Sequence, residues 1–386
     1  MLLSKLTLPY PLKMRPLLVA LLSGLATSSA FAAAPPATLP APADVLALME
    51  HVADWQLAHP AKEAVTDWVQ GAGYAGLMAL TEISPSPRFH DAMVKMGTGT
   101  QWKPGARVYH ADDTCVGQTY VELYLRDKDS AMIAPLRARF DSILTSPPGD
   151  DLDFTHAEHN RNWSWCDSLF MAPPAWMRMS AATGETKYAD YAVANWWKTS
   201  DYLYDQTEHL YFRDSTYFKK TEANGRKVFW SRGNGWVMGG LVRMLQYLPA
   251  SHPAQGRFET QFRQMADTIL ACQQADGLWR ASLLDPASFP AKETSGTGFY
   301  TYALTWGVNH RLLDRARFMP AVLSAWRALG DCVQSDGKLI HVQPVGADPK
   351  KFDENATEPY GVGALLLAGR EIYRMGGGTD AGSNKP

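Results

Sequence analysis

Five stretches of this chain, residues 66–82, 112–126, 231–248, 296–311 and 359–374, place Gly, Ala, Leu, Trp and Tyr on nearly every face of a helical repeat. A helix that is apolar all round has no face to offer water and must be enclosed by protein. Stretches of a second kind alternate with them. Residues 130–145, 185–204, 257–274 and 316–334 carry Arg, Lys, Asp and Gln on one face and an apolar stripe on the other. Runs of Val and Ile with strand-type alternation are few, so the periodicity is helical throughout. Three further helices are predicted at 44–58, 88–97 and 165–182, which brings the total to twelve, or about six outer–inner pairs. The expectation is an all-α, single-domain (α/α)6 barrel, a toroid of six hairpins. A solenoid of weak repeats is the competing arrangement, but no fixed sequence period supports it. In a toroid the polar, Gly-rich starts of the enclosed helices gather at one end and line a cleft.

The chain has 386 residues and a formal net charge of −2. It has neither the basic excess of a nucleic-acid binder nor an acidic tail. Its 13 Trp, 16 Tyr and 14 Phe suit a large core, and they equally suit a cleft in which sugar faces stack on rings. Lys5, Lys13 and Arg15 precede the apolar run 17–22, and Ala30-Phe31-Ala32 matches a small-x-small cleavage site. Residues 1–32 are therefore predicted to be a signal peptide, with translation from Met14 as an alternative start. The apolar run is too short for an ordinary membrane span, and no Cys follows it to take a lipid. A periplasmic or secreted protein, free of the membrane after cleavage, is expected. The Ala/Pro-rich residues 33–43 read as a linker, 44–376 as the helical domain and 377–386 as a flexible tail. Cys115, Cys166, Cys272 and Cys332 lie far apart without CxxC spacing, which argues against zinc and suggests buried free thiols.

Several segments could carry chemistry. Asp167 sits among Trp163, Trp165, Phe170, Met171 and Trp176. An apolar cage raises a carboxyl pKa, and a carboxyl that stays protonated near neutrality can serve as a general acid. The plainer reading is a helix cap before Pro173 and Pro174. In His110-Ala-Asp112-Asp113, adjacent carboxylates open an enclosed helix. There they either cap it or stand opposite Asp167 as a second carboxylate. In Trp230-Ser-Arg232-Gly-Asn234-Gly-Trp236, Arg232 and Trp236 share a helix face. They offer a guanidinium for a carboxylate and a ring for a sugar, or else a structural ion pair. Glu293-Thr-Ser295 reads as a cap. His156 and His209 each stand alone, with no HExxH pattern, and no GxSxG elbow is present.

Taken together, HADDTCVGQTYVELY (110–124), WSWCDSLFMAPPAWMRM (163–179), WSRGNGWVMGGLVRML (230–245), DGLWRASLLDP (276–286), ETSGTGFYTYALTWGVN (293–309) and EPYGVGALLLAGRE (358–371) resemble the unsaturated rhamnogalacturonyl hydrolases of glycoside hydrolase family 105. They resemble more distantly the unsaturated glucuronyl hydrolases of family 88. The resemblance implies an (α/α)6 catalytic domain at 44–376, acting without metal or cofactor. It implies Asp167 as general acid/base and Asp112 as second carboxylate, with Asp113 as its alternative and a substrate contact. Trp165, Arg232 and Trp236 would bind substrate, with His156 and His209 near the cleft. An aromatic on the first enclosed helix would be Trp68 or Tyr74. Ala157 stands where some members carry a basic residue. The implied partner is an oligosaccharide made by a polysaccharide lyase, ending in a 4,5-unsaturated uronic acid, and the protein would act as a monomer. Pectin-derived rhamnogalacturonyl material comes first. Glucuronyl material from ulvan, glycosaminoglycan or arabinogalactan comes second. A sugar isomerase or epimerase on the same barrel, or a non-catalytic carbohydrate-binding protein, would be a rival.

Overall fold

The sequence of helix starts is set largely by proline and by side-chain caps. In the computed structural model, which describes residues 38–381, α1 (Pro42–Ala58) begins on a proline whose missing N–H would have no helical partner in any case. The predicted signal segment 1–32, linker residues 33–37 and tail residues 382–386 lie outside the described residues. Asp67 caps α2 (Trp68–Thr81) by accepting from the Val69 N–H at 2.9 Å. Then come α3 (Arg88–Gly99), α4 (Gly117–Asp127) and α5 (Ala134–Thr145). The predicted helix at 165–182 is two helices, α6 (Ser168–Met171) and α7 (Pro173–Thr183). Two prolines at 173 and 174 cannot continue α6 but suit the first turn of α7. Next are α8 (Thr186–Leu203), α9 (Ser231–Leu245), α10 (Gln255–Cys272), α11 (Thr294–Asn309), α12 (Arg315–Gly330) and α13 (Pro359–Met375). The predicted start at 112 is a separate 3-10 turn, Asp112–Thr114, ahead of α4. A short antiparallel hairpin, β1 (Tyr204–Asp205) and β2 (Leu210–Tyr211), follows α8 and was not expected from periodicity.

Helices α2, α4, α6–α7, α9, α11 and α13 touch one another in that order, and α13 returns to α2. This closed ring is the (α/α)6 toroid, not an open solenoid. Helices α1, α3, α8, α10 and α12 pack outside it, and α5 leans in through Leu136 at Gly117. Every residue of α9 is buried, as is all of α11 up to Val308. Enclosure on all sides is what their apolar circumference demands. Among the described residues, no helix is long and apolar enough to cross a membrane. All four cysteines are free thiols, with Cys115, Cys166 and Cys332 buried.

The ring closes on glycine. A Cβ on Gly76 of α2 would stand 2.5 Å from the Gly363 Cα of α13, and one on Gly363 would strike the Ala72 carbonyl oxygen. Both obstacles are backbone and cannot move aside. Gly363→Ala is therefore expected to cost about 3 kcal/mol, the upper end of overpacking penalties. Gly256→Ala, in open space on α10, should be neutral. Urea unfolding of the two variants checks this, and equal midpoints would mean that the seam can part.

Candidate active site

The first turns of the enclosed helices meet at one mouth of the ring. Trp68 opens α2, and its ring stacks on Tyr360 of α13 at 5.3 Å and meets Trp236 of α9 edge-on at 6.0 Å. Phe170 of α6 and Phe299 of α11 complete an aromatic floor around Trp236, at 4.9 and 4.4 Å. On this floor sits the segment before α6. Asp167 holds the N-cap position of that helix, yet its carboxylate accepts no capping bond. Its Oδ2 accepts instead from the Cys166 thiol at 3.4 Å, and Arg213 Nε stands 3.7 Å away. Burial raises its pKa above the ordinary carboxylate value, with Arg213 and Arg232 opposing.

Asp112 lies close enough to Asp167 to feel its charge. Burial, followed by the Asp167 charge, pushes the Asp112 pKa up to about 7, with Arg107 opposing. Two carboxyls in a dry site do not ionise together easily, so one of them holds a proton near neutrality. His110 flanks the pair. Its ring is 5.1 Å from Trp165, and its Nδ1 accepts from the Asp112 N–H at 3.3 Å. Burial, then Arg107 and His159, bring its pKa down to about 4, which keeps the imidazole neutral. A caged acid beside a second carboxyl and a neutral imidazole can deliver a proton to a bound substrate and take one back from water.

The structure separates Asp112 from Asp113. Asp113 accepts from Arg107 Nε at 2.5 Å, and its main chain receives the Gly105 N–H at 2.9 Å. It fastens the 103–110 loop instead of facing Asp167. Arg232 and Trp236 reach the mouth but are wholly buried. Both terminal nitrogens of Arg232 donate to main-chain carbonyls, those of Gln343 and Pro344. Its guanidinium lies between the rings of Trp230 and Tyr360, at 4.5 and 5.0 Å. Its Nε alone is left without an acceptor, so a substrate carboxylate would meet one nitrogen of Arg232 and not the two-nitrogen fork that was expected. Trp236 is floor, not a stacking face. Trp165, also buried, stands beside His110.

Three further expected contacts make no hydrogen bond or ion pair with Asp167 or Asp112. His156 is on an exposed loop, its Nδ1 2.6 Å from Asp151. His209 is in the β1–β2 turn with φ +53°, beside Tyr204, which itself donates to Gln264 of outer helix α10. Tyr74 lies further along α2 towards Tyr120, so Trp68 is the aromatic that α2 brings to the mouth. Arg213, His110 and Tyr360 join the site without having been singled out. Arg213 is four residues past His209, and only the fold reveals that β2 runs on to Asp167. Among the described residues, no cluster of three His, Cys, Asp or Glu side chains could hold a metal ion. The opposite end of the ring has a cavity of about 420 Å³ near Glu122, Arg178, Arg243 and Arg370. Glu122 pairs there with Arg178 and Arg243 at 2.6 and 2.7 Å, which makes it a closed ionic network.

Comparison with known proteins shows the family and the fold. The sequence model of Glycosyl Hydrolase Family 88 matches residues 46–376. A protein of Formosa agariphila named unsaturated 3S-rhamnoglycuronyl hydrolase is 37% identical over 346 residues, covering 86% of this chain and 91% of its own length. A protein of Alteromonas sp. with the same name is 35% identical, covering 84% of each. A solved family 88 glycosyl hydrolase from Bacteroides vulgatus superposes with a TM-score of 0.80 at 30% identity, over 87% of this chain and 99% of that one. A solved chain named as a polysaccharide lyase gives 0.79 at 31%, over 86% and 98%.

Proposed function

The chain belongs to glycosyl hydrolase family 88 and is a glycoside hydrolase, and on that premise we propose that it removes a 4,5-unsaturated uronic acid from the non-reducing end of lyase-generated oligosaccharides. The observation that carries this reading is Asp167, a caged carboxyl at a helix start that it does not cap. The proton of Asp167 goes to C4 as the C4=C5 electron pair forms the new C–H bond. Positive charge develops at C5 and the ring oxygen. Water adds at C5 and returns its proton to Asp167. The hemiketal opens and releases the sugar that was held at C1. One carboxyl serves as acid and then as base. Attack at the anomeric carbon would call for two carboxyls placed on either side of that carbon. Asp112 keeps the proton inventory of the pair, and Trp165 and His110 shield it from bulk water.

The names of the relatives favour a glycuronyl residue on rhamnose over the galacturonyl residue of pectin. We take the predicted signal segment as directing export to the periplasm or beyond, and the protein as acting as a monomer. The test is an absorbance assay on a panel of unsaturated uronyl-rhamnose disaccharides, with and without a 3-sulfate. The conjugated double bond absorbs in the ultraviolet, and hydration removes that band. Loss of the band on at least one member is expected. A rise on intact polymer would mark a lyase instead, and saturable binding without any change would mark a binding protein.

A further inference from the structure

We propose that Arg213, and not Arg232, is the cation that receives the carboxylate of the substrate at the reacting end, and that it sets the specificity for a uronic acid. The inference rests on the reading that the terminal sugar is an unsaturated uronate. Its carboxyl carbon is attached to C5, the atom that takes water. Whatever grips this carboxylate therefore places C4 and C5 against Asp167.

Arg213 is held for such a task from three sides. Its main-chain carbonyl accepts the Cys166 N–H at 2.8 Å, which puts the arginine in register with the residue next to Asp167. Its guanidinium lies 4.6 Å over the Phe154 ring. Its Nη1 donates to Asp214 Oδ2 at 2.7 Å. Asp214 is buried, and its other oxygen accepts from the Thr216 N–H and hydroxyl at 2.8 and 2.6 Å. What remains is the Nε/Nη2 edge, the one that matches a carboxylate in two places. The Nε–H is buried with no acceptor. It stands 3.7 Å from Asp167 Oδ2, too far for a hydrogen bond. A buried, unpaired donor is costly, and a bound carboxylate would satisfy it. Arg232 Nε is also buried without an acceptor, but its Nη1 and Nη2 both already donate to Gln343 and Pro344, so it can offer one nitrogen and not an uncommitted two-nitrogen edge.

The charged and titratable groups facing Asp167 are Asp112, Arg213, Arg232 and the Cys166 thiol. An anionic sugar entering beside two carboxyls needs a cation with donors to spare, and Arg213 supplies them at Nε and Nη2 while its Nη1 holds Asp214.

The test compares the free acid and the methyl ester of one unsaturated disaccharide in the wild type, Arg213→Gln, Arg213→Lys and Arg232→Lys. Arg213→Gln should lose about 10–100-fold in kcat/KM on the acid, chiefly through KM, and stay within a few-fold on the ester. Arg213→Lys should fall between. Arg232→Lys should lose equally on both forms. Removing the Arg213 charge also lets the Asp167 pKa rise, so the basic limb of the kcat profile should move to higher pH. Binding is read separately by calorimetry on Asp167→Asn, with and without Arg213→Gln, using methyl glucuronoside and its methyl ester. A wild type that turns over no member of the panel overturns the activity, and the calorimetric pair still decides the arginine. An acid-over-ester preference that survives Arg213→Gln, or collapses in Arg232→Lys, overturns the proposal.

Discussion

Asp167→Asn is expected to fold like the parent and to turn over about 10²–10⁴-fold more slowly, the usual contribution of a positioned acid/base. The amide keeps the shape of the side chain but has no proton to deliver to C4 and cannot take one from water. Its fold should not suffer, because Asp167 caps no helix. Its charged form is opposed by burial, which raises its pKa, so a neutral amide should melt at the same temperature or higher near neutral pH. Activity on the best disaccharide and a melting curve on the same sample check both halves. Turnover within tenfold of wild type would remove Asp167 from the mechanism. In deuterated, oxygen-18 water the wild type should place deuterium at C4 and oxygen-18 at C5. Label confined to C1, or equal cleavage of a saturated substrate, would return the protein to ordinary glycosidase chemistry.

Asp112→Asn is expected to stabilise the protein while impairing it. The Asp112 pKa is near 7 in the folded state against an ordinary 3.8. A carboxyl raised in this way adds stability that is complete below about pH 4 and is lost as the pH climbs through 7. The loss approaches about 4 kcal/mol at 1.36 kcal/mol per unit. Solvent reaches 19% of the side chain, so a gain of roughly 2–4 kcal/mol for the amide at pH 8 is the expected range. At pH 4 the two proteins should be alike, since both are neutral at this position. Removing the neighbouring charge should also lower the Asp167 pKa and move the basic limb of the rate profile to lower pH. Denaturant midpoints at the two pH values decide the matter. A gain of the same size at both would trace to packing and not to the charge.

Much of the site was legible because it lies within single segments. The burial that raises the Asp167 pKa could be read from its apolar neighbours, but Trp163 and Trp176 pack on Tyr191 and Phe140, and Trp68, Trp236 and Tyr360 reach the mouth from distant helices. The choice between Asp112 and Asp113 could not be. It turns on Arg107 and the main chain of Gly105, which the 103–110 loop brings to one carboxylate and not to its neighbour. The surroundings of the two histidines were likewise set by the fold. His156 and His209 are close in sequence to functional residues, but one lies on a solvent-facing loop and the other in a turn packed near an outer helix. Arg232 was legible as a residue of the mouth, but its partners are carbonyls more than a hundred residues away.

What the amino-acid sequence determined by itself was the set of parts. Helical period, caps and prolines act over a few residues, so the twelve predicted helices and their two kinds follow from local chemistry. The apolar circumference of α9, α11 and α13 required that they be enclosed, and the amphipathic helices around them do so. Tertiary structure alone decided which mouths meet. Ring closure at Gly76 and Gly363 brings Trp68 onto Tyr360, and the β1–β2 hairpin carries Arg213 to Asp167. These are contacts between distant segments. Their geometry depends on the packing of the whole ring, and no spacing within a segment encodes it.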